Sequence, residues 1–104
     1  MKQDAARSSD KADSVFNLLQ AAAVAGLRCP TNRDIAEALQ GQHGKLSPGS
    51  IPEITSHLAR EGRIVIRLYG HNWREVVIGD GLHAGASTLA PPGEATPYKI
   101  IGRG

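Results

Sequence analysis

The chain has 104 residues and carries 12 Lys and Arg against 10 Asp and Glu, a formal net charge of +2 with the histidines neutral. That length supports one domain with a single modest core, and a single cysteine excludes an intramolecular disulfide and a sulfur-rich zinc site. No apolar run approaches the length of a membrane span, and the N-terminus lacks the apolar core of a signal peptide, so a soluble cytoplasmic protein is expected. The sequence pI of about 9.0 suits a nucleic-acid partner without pointing to one.

Residues 1–9 are polar and lack an apolar period, which predicts a loose N-terminal arm. From Lys11 to Ala25, Val15, Leu18, Leu19 and Ala22 form one stripe with Phe16 and Ala23 at its edge, and Gly26 stops this first helix. Leu27-Arg28-Cys29-Pro30 is a connector, because the residue before a proline is pushed out of the helical region. Thr31 then caps a second helix, with Asp34 adding negative charge near its positive end and Ile35, Ala36 and Leu39 as the buried face. The run from Gly41 to Gly49 is rich in turn formers, with Leu46 as its one apolar anchor.

Ile51, Ile54 and Leu58 recur at helical spacing and leave Glu53, Ser56, His57 and Arg60 on other faces. Ser50 with Glu53 three residues later reads as a capping box, Pro52 fits the first turn, and Gly62 ends the helix. Residues 63–69 and 74–78 are short and β-branched, and Gly70 to Trp73 is the turn between them. Beyond Ile78, glycine, proline and small residues predict a mostly flexible tail over 81–104, with Tyr98 to Ile101 as an apolar patch that could add an edge strand or dock a partner.

Cys29-Pro30-Thr31, with Asp34-Ile35-Ala36, then Ser47-Pro48, then His57-Leu58-Ala59-Arg60-Glu61-Gly62-Arg63-Ile64, resembles the winged helix-turn-helix DNA-binding domain of LexA-type repressors over roughly residues 13–78. The resemblance implies an α+β fold of three helices and a two-stranded antiparallel β-wing, occupying residues 10–80. It implies base contacts from Ser47, Gly49, Ser50, Pro52 and Glu53 at the start of the third helix. Gly49 and Pro52 lack side-chain hydrogen-bonding groups, so a LexA operator is not the expected target. The turn between Leu39 and Leu46 is longer than in the family, and its self-cleaving peptidase domain has no counterpart here. A stand-alone bacterial or phage regulator is the expectation.

Short polar side chains on a groove-entering helix meet distinguishable donors and acceptors on base edges, which adds Ser56 and His57 to the base-contacting candidates. Glu53 either accepts from a cytosine amino group or is occupied by its cap. Arg60 and Arg63 suit phosphate, although Arg60 could instead be simply solvated or pair with Glu61 or Glu53. Arg67, His71, Asn72 and Arg74 crowd the hairpin and suit the backbone or minor groove. Trp73 either packs on the hairpin base or lies on sugar and backbone. Thr31, Arg33 and Lys45 complete the backbone candidates. The expected partner is double-stranded DNA, engaged as a homodimer or through paired sites because one small module buries limited surface. A protein partner reached through the wing or tail, and a sequence-tolerant architectural role on DNA, are the alternatives. His43, His57, His71 and His83 lack metal-ligand spacing, Cys29 has nothing to activate it, and no phosphate-loop lysine is present. Neither an enzyme nor a cofactor is implied.

Overall fold

The computed structural model describes residues 2–43, 46–70 and 72–102, with side chains over 10–41, 46–70 and 72–102. Three helices, α1 (Lys2–Val24), α2 (Asn32–His43) and α3 (Ile51–Arg60), precede three strands, β1 (Ile64–Tyr69), β2 (Trp73–Ile78) and β3 (Lys99–Ile101). A 3-10 turn, Pro48–Ser50, runs directly into α3. The fold is α+β.

Two of the helices end in the same way. Gly26 (φ 68°) and Gly62 (φ 79°) take the left-handed conformation. The amides of Leu27 and Arg63 reach back to the carbonyls of Ala22 and Leu58, and those of Gly26 and Gly62 to Ala23 and Ala59. This double closure satisfies carbonyls that a helix end leaves without partners, and it needs a residue free of a Cβ penalty at that position. Both stops were legible in the sequence.

The starts differ from expectation. α1 begins at Lys2 rather than near Lys11, so the backbone of the expected loose arm is helical. Thr31 and Asp34 form the reciprocal box: the Asp34 amide donates to Thr31 Oγ1 at 3.0 Å, and the Thr31 amide donates to Asp34 Oδ2 at 3.2 Å. Ser50 and Glu53 do not. Ser50 has helical backbone angles (φ −86°, ψ −14°) because the 3-10 turn continues into α3, whereas a capping side chain needs an extended residue. Its hydroxyl donates to the Ser47 carbonyl instead, at 2.8 Å, and Glu53 is left without a capping role.

The core is aliphatic. Val15 and Leu19 of α1, Ile35 of α2, Ile51 and Leu58 of α3, and Ile64, Val76 and Ile78 of the sheet are all essentially inaccessible. Fully burying one such side chain contributes about 1.5–3 kcal/mol. Leu46 is buried as the anchor of the α2–α3 turn. Arg63 fastens the start of β1 to α1: its guanidinium lies 4.2 Å from the Phe16 ring centroid and donates to Asp13 Oδ1 at 2.8 Å.

The sheet has three antiparallel strands in the order β2-β1-β3, where the sequence predicts two. β1 and β2 pair from Ile64 opposite Ile78 to Tyr69 opposite Trp73. Asn72, at φ 60°, supplies the left-handed residue of the three-residue connection, a conformation in which asparagine is enriched. β3 lies on the other side of β1, with Ile101 opposite Ile66 and Lys99 opposite Leu68.

The stretch expected to be flexible is therefore tied to both edges of the hairpin. Ser87 bridges Val77. Thr88 is 1% exposed, its amide donates to the Val76 carbonyl, and its Oγ1 accepts from the Val76 amide at 2.9 Å. The Leu89 amide donates to the Leu27 carbonyl, and Trp73 Nε1 donates to the Leu89 carbonyl. Small residues and prolines hid this docking, because the contacts are made mostly by backbone groups that any sequence carries. Thr88→Val, which keeps the shape and removes the acceptor, is expected to destabilise the fold by about 1–3 kcal/mol through the orphaned Val76 amide. Urea unfolding checks the size, and faster hydrogen exchange at Val76 checks the cause.

Candidate functional site

α3 divides into two faces. Ile51, Thr55, Leu58 and Ala59 are buried, while Pro52, Glu53, His57 and Arg60 are exposed and Ser56 is half-buried. Positions 53, 56, 57 and 60 share one side at spacings of three and four, which presents two charges and two hydrogen-bonding groups together. Thr55, buried although polar, satisfies its hydroxyl by donating to the Pro52 carbonyl at 3.1 Å. Ser47 and Gly49 are exposed beside the start of this face, and Ser50 is half-buried with its hydroxyl engaged. His57 Nε2 lies 3.3 Å from Glu61 Oε1. Among the described residues no ion pair involves Arg60 or Glu53, so the pairing weighed for Arg60 with either glutamate is not made.

The arginines expected to meet DNA are mostly engaged within the fold. Arg63 pairs with Asp13 and, at 3.7 Å, with Asp80, and its side chain is only 24% exposed. Arg67 lies 3.5 Å from Glu75, whose buried carboxylate also accepts from the Tyr69 hydroxyl at 2.8 Å. That bond holds the Tyr69 phenol above its ordinary value, with burial adding to the effect. Arg33 pairs with Glu37 one turn along α2, an exposed contact of little energetic weight. The amides of Thr31 and Asp34 are already taken by their mutual capping, so the start of α2 offers phosphate less than the sequence suggests. Lys45 and His71 lie outside the described residues.

Arg74 departs furthest from expectation. Its Nη2 donates to the Pro30 carbonyl at 2.6 Å, its Nη1 to Asn32 Oδ1 at 2.8 Å, and its Nε approaches Cys29 Sγ at 3.3 Å. It is an internal tie between β2 and the α1–α2 connector. Burial raises the Cys29 thiol, an effect that the neighbouring Arg74 charge and hydrogen bond oppose. A buried thiol held protonated is a poor nucleophile.

Beside this tie, Arg28, Thr31, Asn72, Trp73, Arg74 and Tyr98 line an open cleft of about 280 Å³ between the hairpin end and the α1–α2 connector. The Arg28 guanidinium lies 3.9 Å from the Trp73 ring centroid. Thus Thr31, Asn72 and Arg74 come together, whereas Arg33 and Ser47 line a separate groove along α2. Arg28 was not among the predicted site residues. The proximity of a cationic and an aromatic residue 45 positions apart in the sequence, Arg28 and Trp73, has no local signature that a single chain displays.

Comparison of the chain with protein-family models, curated proteins and solved structures finds no match in any of the three. Among the described residues, no helix is long and apolar enough to cross a membrane.

Arg74→Met is expected to cost about 1.5–3 kcal/mol for the lost charge-assisted bonds. Urea unfolding measures this, and faster alkylation of Cys29 in the variant would report the opened connector. A second expectation concerns alkaline pH. The unfolded chain releases the Cys29 and Tyr69 protons near their ordinary values of 9.0 and 10.0, while the folded chain holds both protons to higher pH. The unfolded state then binds fewer protons, so stability falls as pH rises above about 9. Unfolding between pH 8 and pH 11 should show a decline that Cys29→Ala and Tyr69→Phe each make shallower.

Proposed function

We propose that this chain is a small winged helix-turn-helix domain that binds duplex DNA as a transcriptional regulator. In this reading α3 enters the major groove and the β1–β2 hairpin approaches the backbone or minor groove. The observation that carries it is the division of α3. One face is completely buried, and the opposite face holds Glu53, Ser56, His57 and Arg60, with Arg60 and Glu53 in no described ion pair. A polar outer face is common to surface helices, and the groups on this one are the short and medium polar side chains beside one phosphate-seeking cation that a groove reader uses. The order of α2, turn, α3 and hairpin, with the sequence resemblance, supports the same reading.

The internal engagement of Arg63, Arg67 and Arg74 shapes the energetics. Fewer lysine and arginine side chains remain for phosphate than the sequence count suggests, so affinity should fall gently with salt. A modest surface then favours two copies on paired sites. Arg60→Ala should weaken binding to all duplexes alike and lower the salt slope by about one unit. Glu53→Gln and Ser56→Ala should instead change which sequences are preferred. Selection of a random duplex library on the purified protein, at low and near-physiological salt, tests this: an enriched motif that survives the higher salt supports the reading.

A second reading has its own support. Tyr98 is 72% and Ile100 51% exposed next to one another at β3, which suits a protein partner. A library selection that enriches no sequence at either salt would move the reading to that surface.

A further inference from the structure

We propose that the cleft between the hairpin end and the α1–α2 connector binds one unpaired nucleotide of a nucleic-acid strand, its phosphate beside Arg28 and Arg74 and its base stacked on Tyr98. The proposal rests on the nucleic-acid reading of the domain and adds a second, single-strand subsite to it.

Charge is the first argument. Two guanidinium groups line the cleft and, among the described residues, no carboxylate does. Arg74 is held by neutral acceptors, the Pro30 carbonyl and the Asn32 amide oxygen, so its bonds do not cancel its charge. Arg28 is exposed, and its guanidinium lies over the Trp73 ring. Contact with the ring leaves guanidinium N–H groups able to donate to a phosphate. An uncompensated pair of arginines attracts an anion.

The second argument is the company they keep. Tyr98 is 72% exposed in the same cleft, and an aromatic ring beside arginine is the combination that holds successive bases of an unpaired strand. Asn72 also lines the cleft, and its amide can both donate to and accept from a base edge. The volume of about 280 Å³ lies at the small end of ligand sites, which suits one nucleotide. A base inside a duplex is stacked on both faces and paired on its edge, so only a base outside the stack can enter.

Trp73 is the chain's single tryptophan, so its fluorescence reports on the cleft directly. The experiment titrates the 104-residue chain with oligodeoxyuridylate and, in parallel, with oligouridylate, while a fluorescent duplex is followed separately by anisotropy. Saturable change in Trp73 emission is expected with at least one oligonucleotide, and the preference between the two identifies the sugar. Tyr98→Ala, which removes an exposed ring and leaves circular dichroism unchanged, should weaken that binding about tenfold. Arg28→Gln should weaken it and make it less salt-dependent. No emission change with either oligonucleotide, or a change indifferent to both substitutions, overturns the proposal. Duplex binding that persists without oligonucleotide binding removes the cleft while keeping the reading of α3. Oligonucleotide binding without duplex binding keeps the cleft and removes that reading.

Discussion

The guanidinium of Arg74 ties the second strand of the hairpin to the connector and the start of α2, reinforced by the Arg28–Trp73 contact and the Leu27–Leu89–Trp73 relay. A two-stranded hairpin is marginal by itself, and this one is fixed by a charge-assisted contact from its second strand to the Pro30 carbonyl and Asn32. The connector that receives it starts where Gly26 ends α1, and Pro30 keeps Cys29 out of the helical region before α2 begins. The position of the hairpin end and the cleft beside it therefore depend on that tie.

That arrangement redistributes charge. The stretch from 44 to 78 carries five Lys and Arg against three Asp and Glu, which on paper is a basic face. In the fold, Arg63 bridges to Asp13, Arg67 to Glu75, and Arg74 to the connector. Arg60 on α3 stays outward with no described ion pair, and Arg28, outside that stretch, lies exposed at the cleft beside the charge of Arg74. A surface of this kind depends on a few placed groups rather than on a broad positive field, and such interfaces discriminate by hydrogen bonding and shape.

Much of the fold was legible because the signals were local. Helical periodicity marked Val15, Leu19, Ile35, Ile51 and Leu58, and Gly26 and Gly62 marked helix ends that require a left-handed residue. The strands followed from β-branched runs. Local signals misled where two solutions competed for one group: Ser50 and Glu53 satisfy the sequence requirement of a capping box, but the 3-10 turn before α3 removes the extended backbone it needs. They were silent where contacts were long-range. Thr88 under β2 looks like a tail residue, since backbone pairing carries no side-chain signature, whereas Tyr98–Ile101 stood out as an apolar patch that could add an edge strand, the place β3 takes beside β1. The side of α3 that faces outward was predictable from its period, whereas the fate of each arginine depended on partners up to 50 positions away.

The placement of β3 has a consequence for how the chain reaches its folded state. β1 is the central strand, yet its neighbour on one side arrives only after the loop 70–98 has been closed. Until then Ile66, Arg67 and Leu68 present unpaired backbone groups along an open edge, a template for association with another partly folded chain. β3 thus acts as a built-in edge guard. Conditions or fusions that delay its docking would raise aggregation during refolding before they lowered the stability of the finished domain.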